Sequence, residues 1–264
     1  MQRIQIYPPG GPIDLEVDLI GAGERLLVFL HEGLGSLAGW GDWPRILCEA
    51  ARCRGLVFSR YGYGHSQARP PHKDWSTDYL GIEARENLPA LLKALGIDAE
   101  REPPILFGHS DGATIALQYA AAFPRAVAAI VVLAPHLFVE QVARDRIGQM
   151  RQAWPDGRVR ALLARQHDDP EGVFMGWSGS WTAPQFADWN IAAALETIGC
   201  PTLAVQGRQD QFGTLEQLEE LQRRVPHAEL LVLDGCRHIP HEERPDEVRA
   251  AVVDFLSRTL RTLA

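Results

Sequence analysis

Apolar residues in this chain collect into short unbroken runs, and between the runs polar and apolar residues recur at a helical spacing. The runs at 26–30, 55–58, 105–107, 129–133, 201–205 and 229–233 are continuously apolar apart from Thr202 and Glu229, as in Leu26-Leu27-Val28-Phe29-Leu30. Strands of this kind are covered on both faces, the usual condition of parallel strands flanked by helices. Two earlier runs, 4–7 and 15–20, flank Pro8-Pro9-Gly10-Gly11 and predict an opening antiparallel pair with that segment as its turn. Helical spacing predicts helices at about 43–52, 79–95, 111–123, 215–225 and 245–260. Such alternation implies right-handed crossovers. The expected fold is α/β: a mostly parallel twisted sheet of about eight strands flanked by helices.

One interval breaks the rhythm. Between Leu133 and Pro201 lie far more residues than one crossover helix needs, and 136–195 is helix-prone. It holds Trp154, Trp177, Trp181 and Trp189, four of the seven tryptophans. Insertions at the carboxyl ends of parallel strands lie over the ligand crevice. The expected division is therefore a core of 1–135 and 196–264 with a helical cap, 136–195, inserted after the sixth strand.

Composition changes this picture little. A formal charge of −8 argues against nucleic acid or an anionic membrane as partner and leaves a small-molecule substrate, with a homodimer left open. No basic-then-apolar leader and no apolar run near the ~20 residues of a membrane span are visible, so a cytoplasmic location is expected. Cys48, Cys53, Cys200 and Cys236 form no C-x-x-C pair and no zinc spacing, and are read as reduced thiols.

The chemistry concentrates in Gly108-His109-Ser110-Asp111-Gly112, between the run at 105–107 and the helix expected at 111–123. A G-x-S-x-G segment in that context bends sharply and lifts the serine hydroxyl above the sheet. A serine hydroxyl is a poor nucleophile unless a base takes its proton and a third group orients the base. Asp210 follows the strand at 201–205, and His238 follows the strand at 229–233. Ser110, Asp210 and His238 are thus expected at one edge of the sheet, in the chain order serine, acid, histidine. Asp234 reads as a turn residue, the Asp111 side chain as favouring the helix dipole, His241 as the rival to His238, and His109 as pointing elsewhere.

A tetrahedral oxyanion needs two donors. The N–H of Asp111 is expected to supply one, and that of Gly33 or Leu34, in Leu30-His31-Glu32-Gly33-Leu34-Gly35-Ser36, the other. Glu32 either braces this loop or meets a polar substrate group. Trp177 and Trp181 are expected to recognise substrate from the insertion, and Trp40 from the core side.

The combination of His31-Glu32-Gly33-Leu34-Gly35, Ser59-Arg60-Tyr61-Gly62-Tyr63-Gly64-His65-Ser66, the serine turn, Gly207-x-x-Asp210 and Gly235-x-x-His238-x-Pro240-x-x-Glu243-x-Pro245 resembles the α/β-hydrolase fold superfamily over essentially the whole chain. The likeness is to capped bacterial serine hydrolases. It implies that the first histidine of the last pattern, His238, is the catalytic one, and that a variable cap falls where this chain has its insertion. The H-G-G-P-G and G-G-S-W-G of proline iminopeptidases and the G-N-S-M-G-G of ring-fission hydrolases are absent, and Ser110 stands where haloalkane dehalogenases carry aspartate. The likeness supplies no substrate; the triad residues and the tryptophan-bearing insertion together lead to the expectation of cleavage of an ester, lactone or amide of a small apolar or aromatic acyl compound through an acyl-enzyme, with no metal or organic cofactor. Carbon–carbon hydrolysis by the same triad, and a non-hydrolytic ligand-binding homologue, stay open.

Overall fold

A computed structural model of the chain describes residues 1–70 and 75–262. Eight strands form one sheet: β1 (Gln2–Ile6), β2 (Ile13–Ile20), β3 (Leu26–Leu30), β4 (Arg54–Phe58), β5 (Ile105–His109), β6 (Ala129–Leu133), β7 (Thr202–Gly207) and β8 (Glu229–Leu233). Their spatial order is β1-β2-β4-β3-β5-β6-β7-β8, and only the pairs β1–β2 and β2–β4 are antiparallel. The opening pair turns at Pro8–Gly11, where the Gly11 N–H donates to the Pro8 carbonyl at 3.0 Å.

Helices α1 (Trp43–Ala51), α2 (Tyr79–Ile82), α3 (Leu88–Ala94) and α4 (Asp111–Ala122) belong to the first half of the chain. The single helix expected over 79–95 instead carries a wider π turn at Glu83–Asn87 between α2 and α3. Burial of Glu83 and Asn87 accompanies it: Asn87 Nδ2 donates to Glu83 Oε1 at 2.9 Å. After β6 come α5 (Gln141–Ala153), α6 (Arg158–Leu163) and α7 (Pro170–Thr182), then α8 (Glu216–Arg224), α9 (Pro240–Glu243) and α10 (Pro245–Thr262). Each face of the sheet carries its own apolar cluster, and β3, β5 and β6 send buried side chains into both, which is why their sequences do not alternate.

The segment between β6 and β7 is helical, as expected. Trp154 stacks on Phe174 with ring centres 4.1 Å apart, and Phe186 stacks on Trp189 at 5.1 Å. These two tryptophans hold the segment together. Among the described residues no helix is long and apolar enough to cross a membrane, and the four cysteines are buried and unpaired.

The junction of β5 and α4 is a close backbone crossing. A Cβ placed on Gly112 would lie 1.9 Å from the Leu30 carbonyl oxygen and 2.8 Å from that of His31. Backbone cannot yield there as a flexible side chain would. Gly112→Ala is therefore expected to destabilise the fold by about 3 kcal/mol, a drop of roughly 10 °C in thermal melting. Gly148→Ala in α5, where the added carbon meets nothing within 4 Å, is expected to be neutral or mildly stabilising in the same melts.

Candidate active site

Ser110 leaves β5 with φ 52° and ψ −116°, a conformation non-glycine residues rarely adopt. Neighbouring backbone holds it there: Ser110 N–H donates to Leu133 O at 2.8 Å, and Thr114 N–H donates to Ser110 O at 3.0 Å. The strained turn leaves the hydroxyl directed off the sheet edge, toward His238.

Asp210 and His238 reach the same edge from loops after β7 and β8. Ser110 Oγ lies 3.0 Å from His238 Nε2, and His238 Nδ1 lies 2.9 Å from both carboxylate oxygens of Asp210. With Nδ1–H donating to Asp210, Nε2 keeps its lone pair and accepts from the serine hydroxyl; the tautomer follows from these partners. Burial pushes the Asp210 carboxyl up, but the His238 imidazole and the Phe212 N–H, at 2.8 Å, outweigh it and hold the pKa below the ordinary value. Glu243 frames the histidine by accepting from the N–H groups on either side, Arg237 at 2.9 Å and Ile239 at 3.2 Å. That gives the glutamate of the Gly235–Pro245 pattern a physical task.

His241, the rival, packs between Trp40 and Trp43 at ring distances of 5.0 and 5.7 Å, with burial lowering its pKa to about 3. Asp234 pairs with Arg208 on an exposed turn, 2.5 Å away.

On the other side of Ser110 lies the loop after β3. Among the described residues the N–H groups of Gly33, Leu34 and Asp111 have no acceptor within the protein. The loop rests on Arg60, which is fully buried: Arg60 Nη2 donates to Glu32 O at 2.8 Å, and Arg60 N–H donates to His31 Nε2 at 3.1 Å. A Cβ on Gly33 would fall 2.0 Å from Trp177 Nε1, so any larger residue there would force the indole or the loop to shift. The α7 indole thus lies directly on this loop. Asp111 does more than complement the helix dipole: it accepts from the Tyr79 hydroxyl at 2.6 Å and stands 4.0 Å from Arg60. Burial raises its pKa, against the pull of Arg60 and Tyr79.

His109 turns away from the hydroxyl, as expected. Its Nε2 donates to the His238 carbonyl at 2.7 Å, and its Nδ1 faces Glu32 Oε2 at 3.6 Å. Burial disfavours charge on both, but mutual attraction prevails, so the Glu32 pKa is lowered and the His109 pKa raised. Glu32 therefore braces the loop and also lines the cavity, its side chain 35% exposed. A depressed carboxyl stabilises above its unfolded pKa of about 4.3, and a raised imidazole stabilises below its unfolded value of about 6.5. Stabilisation by the pair is fullest between those limits and fades as pH climbs through the raised His109 pKa. Glu32→Gln is expected to lower melting by roughly 2–4 °C at pH 6, with the gap narrowing at pH 9; a gap that widens at pH 9 would refute the pairing.

These groups surround a cavity of about 180 Å3. Ser110 and His238 lie at its base, with Trp177, Trp181, Ile147, Met150 and Phe212 as apolar wall. Trp181 is further fixed by its Nε1–H donating to the Tyr79 hydroxyl at 3.0 Å. Trp40 is not in the lining. It packs beneath, against Phe29 at 5.7 Å and Phe107 at 5.8 Å, because its short helix folds onto the opposite face of the sheet. Sequence patterning could not tell the two faces apart. His136, which no motif singled out, does line the cavity; its one sequence signal is a position just beyond the end of β6. A wider surface groove of about 680 Å3, beside Trp75 and α7, contains none of these groups.

A parallel sheet whose carboxyl edge carries a serine, a histidine and an aspartate in hydrogen-bonded series, beside free backbone donors, is the framework of a hydrolytic enzyme. The alpha/beta hydrolase family model matches residues 27–251, and the chain belongs to that family; it is a hydrolase. Among curated proteins it is similar to the mouse serine hydrolase BPHL, 26% identical over 249 residues, covering 92% of this chain and 83% of that one. It is also similar to the 2-hydroxy-6-oxononadienedioate/2-hydroxy-6-oxononatrienedioate hydrolase of Comamonas testosteroni, 22% identical over 275 residues with 94% and 93% covered. Among solved structures, a thermophilic esterase from Thermogutta terrifontis superposes with a TM-score of 0.74 at 20% identity, covering 98% of this chain and 99% of that one. The last likeness concerns the fold alone.

Proposed function

We propose that the protein is a serine hydrolase that cleaves an ester, lactone or amide bond of a small apolar or aromatic acyl compound through an acyl-enzyme on Ser110. The observation that carries this reading is the unbroken series Ser110 Oγ, His238 Nε2, His238 Nδ1 and Asp210, with spacings of 3.0 and 2.9 Å. Ser110 attacks the substrate carbonyl as His238 takes its proton, and Asp210 stabilises the imidazolium. The oxyanion is held by the N–H of Asp111 and by that of Gly33 or Leu34. His238 then protonates the leaving group, and water cleaves the acyl-enzyme. Residues 136–195 act as the cap, presenting Trp177 and Trp181 to the acyl compound.

The second reading, carbon–carbon hydrolysis, draws support from the dienedioate hydrolase of Comamonas testosteroni. The cavity favours the first. Its lining includes two acids, Glu32 and Asp111, and no lysine or arginine, and the imidazole held toward its charged form, His109, already faces Glu32, so a dianionic substrate would meet no unpaired counter-charge there. A panel of aryl esters, lactones, anilides and ring-fission dienoates tests the choice. Turnover of uncharged esters or lactones is expected; activity confined to the dienoates would overturn the ester reading.

A further inference from the structure

His136 is held with unusual firmness for a residue in a loop. Thr114 of α4 clamps its backbone on both sides, with Oγ1 donating to His136 O at 2.7 Å and accepting from His136 N–H at 3.2 Å. The next residue is fixed too, since Leu137 N–H donates to Gln217 Oε1 at 2.7 Å. The ring packs edge-on to Trp181 at 5.0 Å and lies 5.9 Å from the His238 ring. It is 3% exposed and lines the cavity above Ser110.

Yet, among the described residues, neither ring nitrogen has a hydrogen-bond partner in the protein, and Nδ1 is sealed from solvent. Buried polar groups are almost always paired, so an orphan at a cavity wall marks a place where a ligand completes the set. Burial, with the neighbouring His238, lowers the His136 pKa to about 3, so the ring is neutral at working pH. A neutral imidazole has one N–H and one bare nitrogen. An orphaned buried acceptor is better tolerated than an orphaned donor, which puts the bare nitrogen at the sealed Nδ1 and the N–H at Nε2, toward the cavity.

Sheet order supplies the direction. β5 lies between β3 and β6, so the oxyanion-side loop after β3 and the loop carrying His136 after β6 flank Ser110 from opposite sides. His238 stands on the β6 side, where the leaving group departs. We infer that His136 is a specificity-determining residue whose Nε2–H donates to an acceptor oxygen in the leaving group, favouring substrates with an ether, carbonyl or hydroxyl oxygen a few bonds beyond the scissile one.

This inference rests on the acyl-enzyme reading, and two esters with a common acyl group separate the two. 2-Methoxyethyl butyrate and butyl butyrate have nearly the same shape, differ by one acceptor oxygen, and yield the same butyryl-enzyme. The wild type is expected to favour the methoxyethyl ester about tenfold in kcat/KM beyond the ratio of their uncatalysed hydrolysis rates, the worth of one hydrogen bond. His136→Phe is expected to erase that excess, lowering kcat/KM for the methoxyethyl ester about tenfold more than for the butyl ester. His136→Gln, whose amide reaches the position of Nε2, is expected to restore part of it. No excess in the wild type, or an excess that survives in folded His136→Phe, overturns the role given to His136 alone. A wild type that labels at Ser110 yet cleaves neither ester overturns the ester reading and this inference with it.

Discussion

Ser110→Ala is expected to lower kcat/KM for any ester the protein turns over by about 10^4–10^6-fold, with KM little changed. Losses of this size accompany removal of a serine nucleophile, because only the oxyanion donors and substrate binding remain. The fold should survive. Ser110 is fixed through its backbone, by the N–H to Leu133 and the carbonyl from Thr114, and its side chain touches only the His238 imidazole through a hydrogen bond. Alanine tolerates the positive φ no better and no worse than serine. Circular dichroism with initial rates measured from well below to above KM checks both halves of the expectation. Turnover that persists in the folded variant would point instead to the histidine acting alone as a base on a different reaction.

Asp210→Asn is expected to lower kcat by about 10^3–10^4-fold with KM within a few-fold of the wild type. Asparagine fills the same space, but its amide can donate to His238 Nδ1, which moves the ring proton to Nε2, where it faces the serine hydroxyl and cannot accept from it. The imidazolium formed during attack also loses its counter-charge. Geometry should hold, because the loop carrying His238 has its own supports: Glu243 binds the flanking N–H groups, and Cys236 N–H donates to Gln209 Oε1 at 3.2 Å. The double variant Ser110→Ala/Asp210→Asn should be no slower than Ser110→Ala, since residues that act as a unit do not contribute additively. Steady-state rates of the three variants on one ester settle both points.

The inner strands β3, β4, β5 and β6 were legible because they lie between two covered faces and so write themselves as nearly unbroken apolar runs. The series Ser110, Asp210 and His238 was legible for a related reason: each follows such a run, and strand ends in a parallel sheet share one edge. What escaped the sequence depends on contacts between distant segments. Trp40 and Trp177 look alike in one dimension, yet one packs under the sheet against Phe107 and the other lies on Gly33 in the cavity wall. The π turn at 83–87 accompanies the joint burial of Glu83 and Asn87, which no helical spacing announces. Arg60 sat within a recognised segment, but its burial beneath the loop of Glu32 is set by tertiary packing. His136 carries no motif at all. Only its place beyond β6, its clamp on Thr114 and its unpaired nitrogens make it visible.

The most direct measurement is mass spectrometry of the intact protein and its peptides after exposure to an aryl phosphonate, in wild type and in His238→Ala. If His238 activates Ser110, the wild type carries one adduct, located on Ser110, and the variant reacts at least about 10^3-fold more slowly while remaining folded. Equal labelling rates in the two proteins, or a folded wild type with no adduct on Ser110, would contradict the coupling on which the proposed chemistry depends.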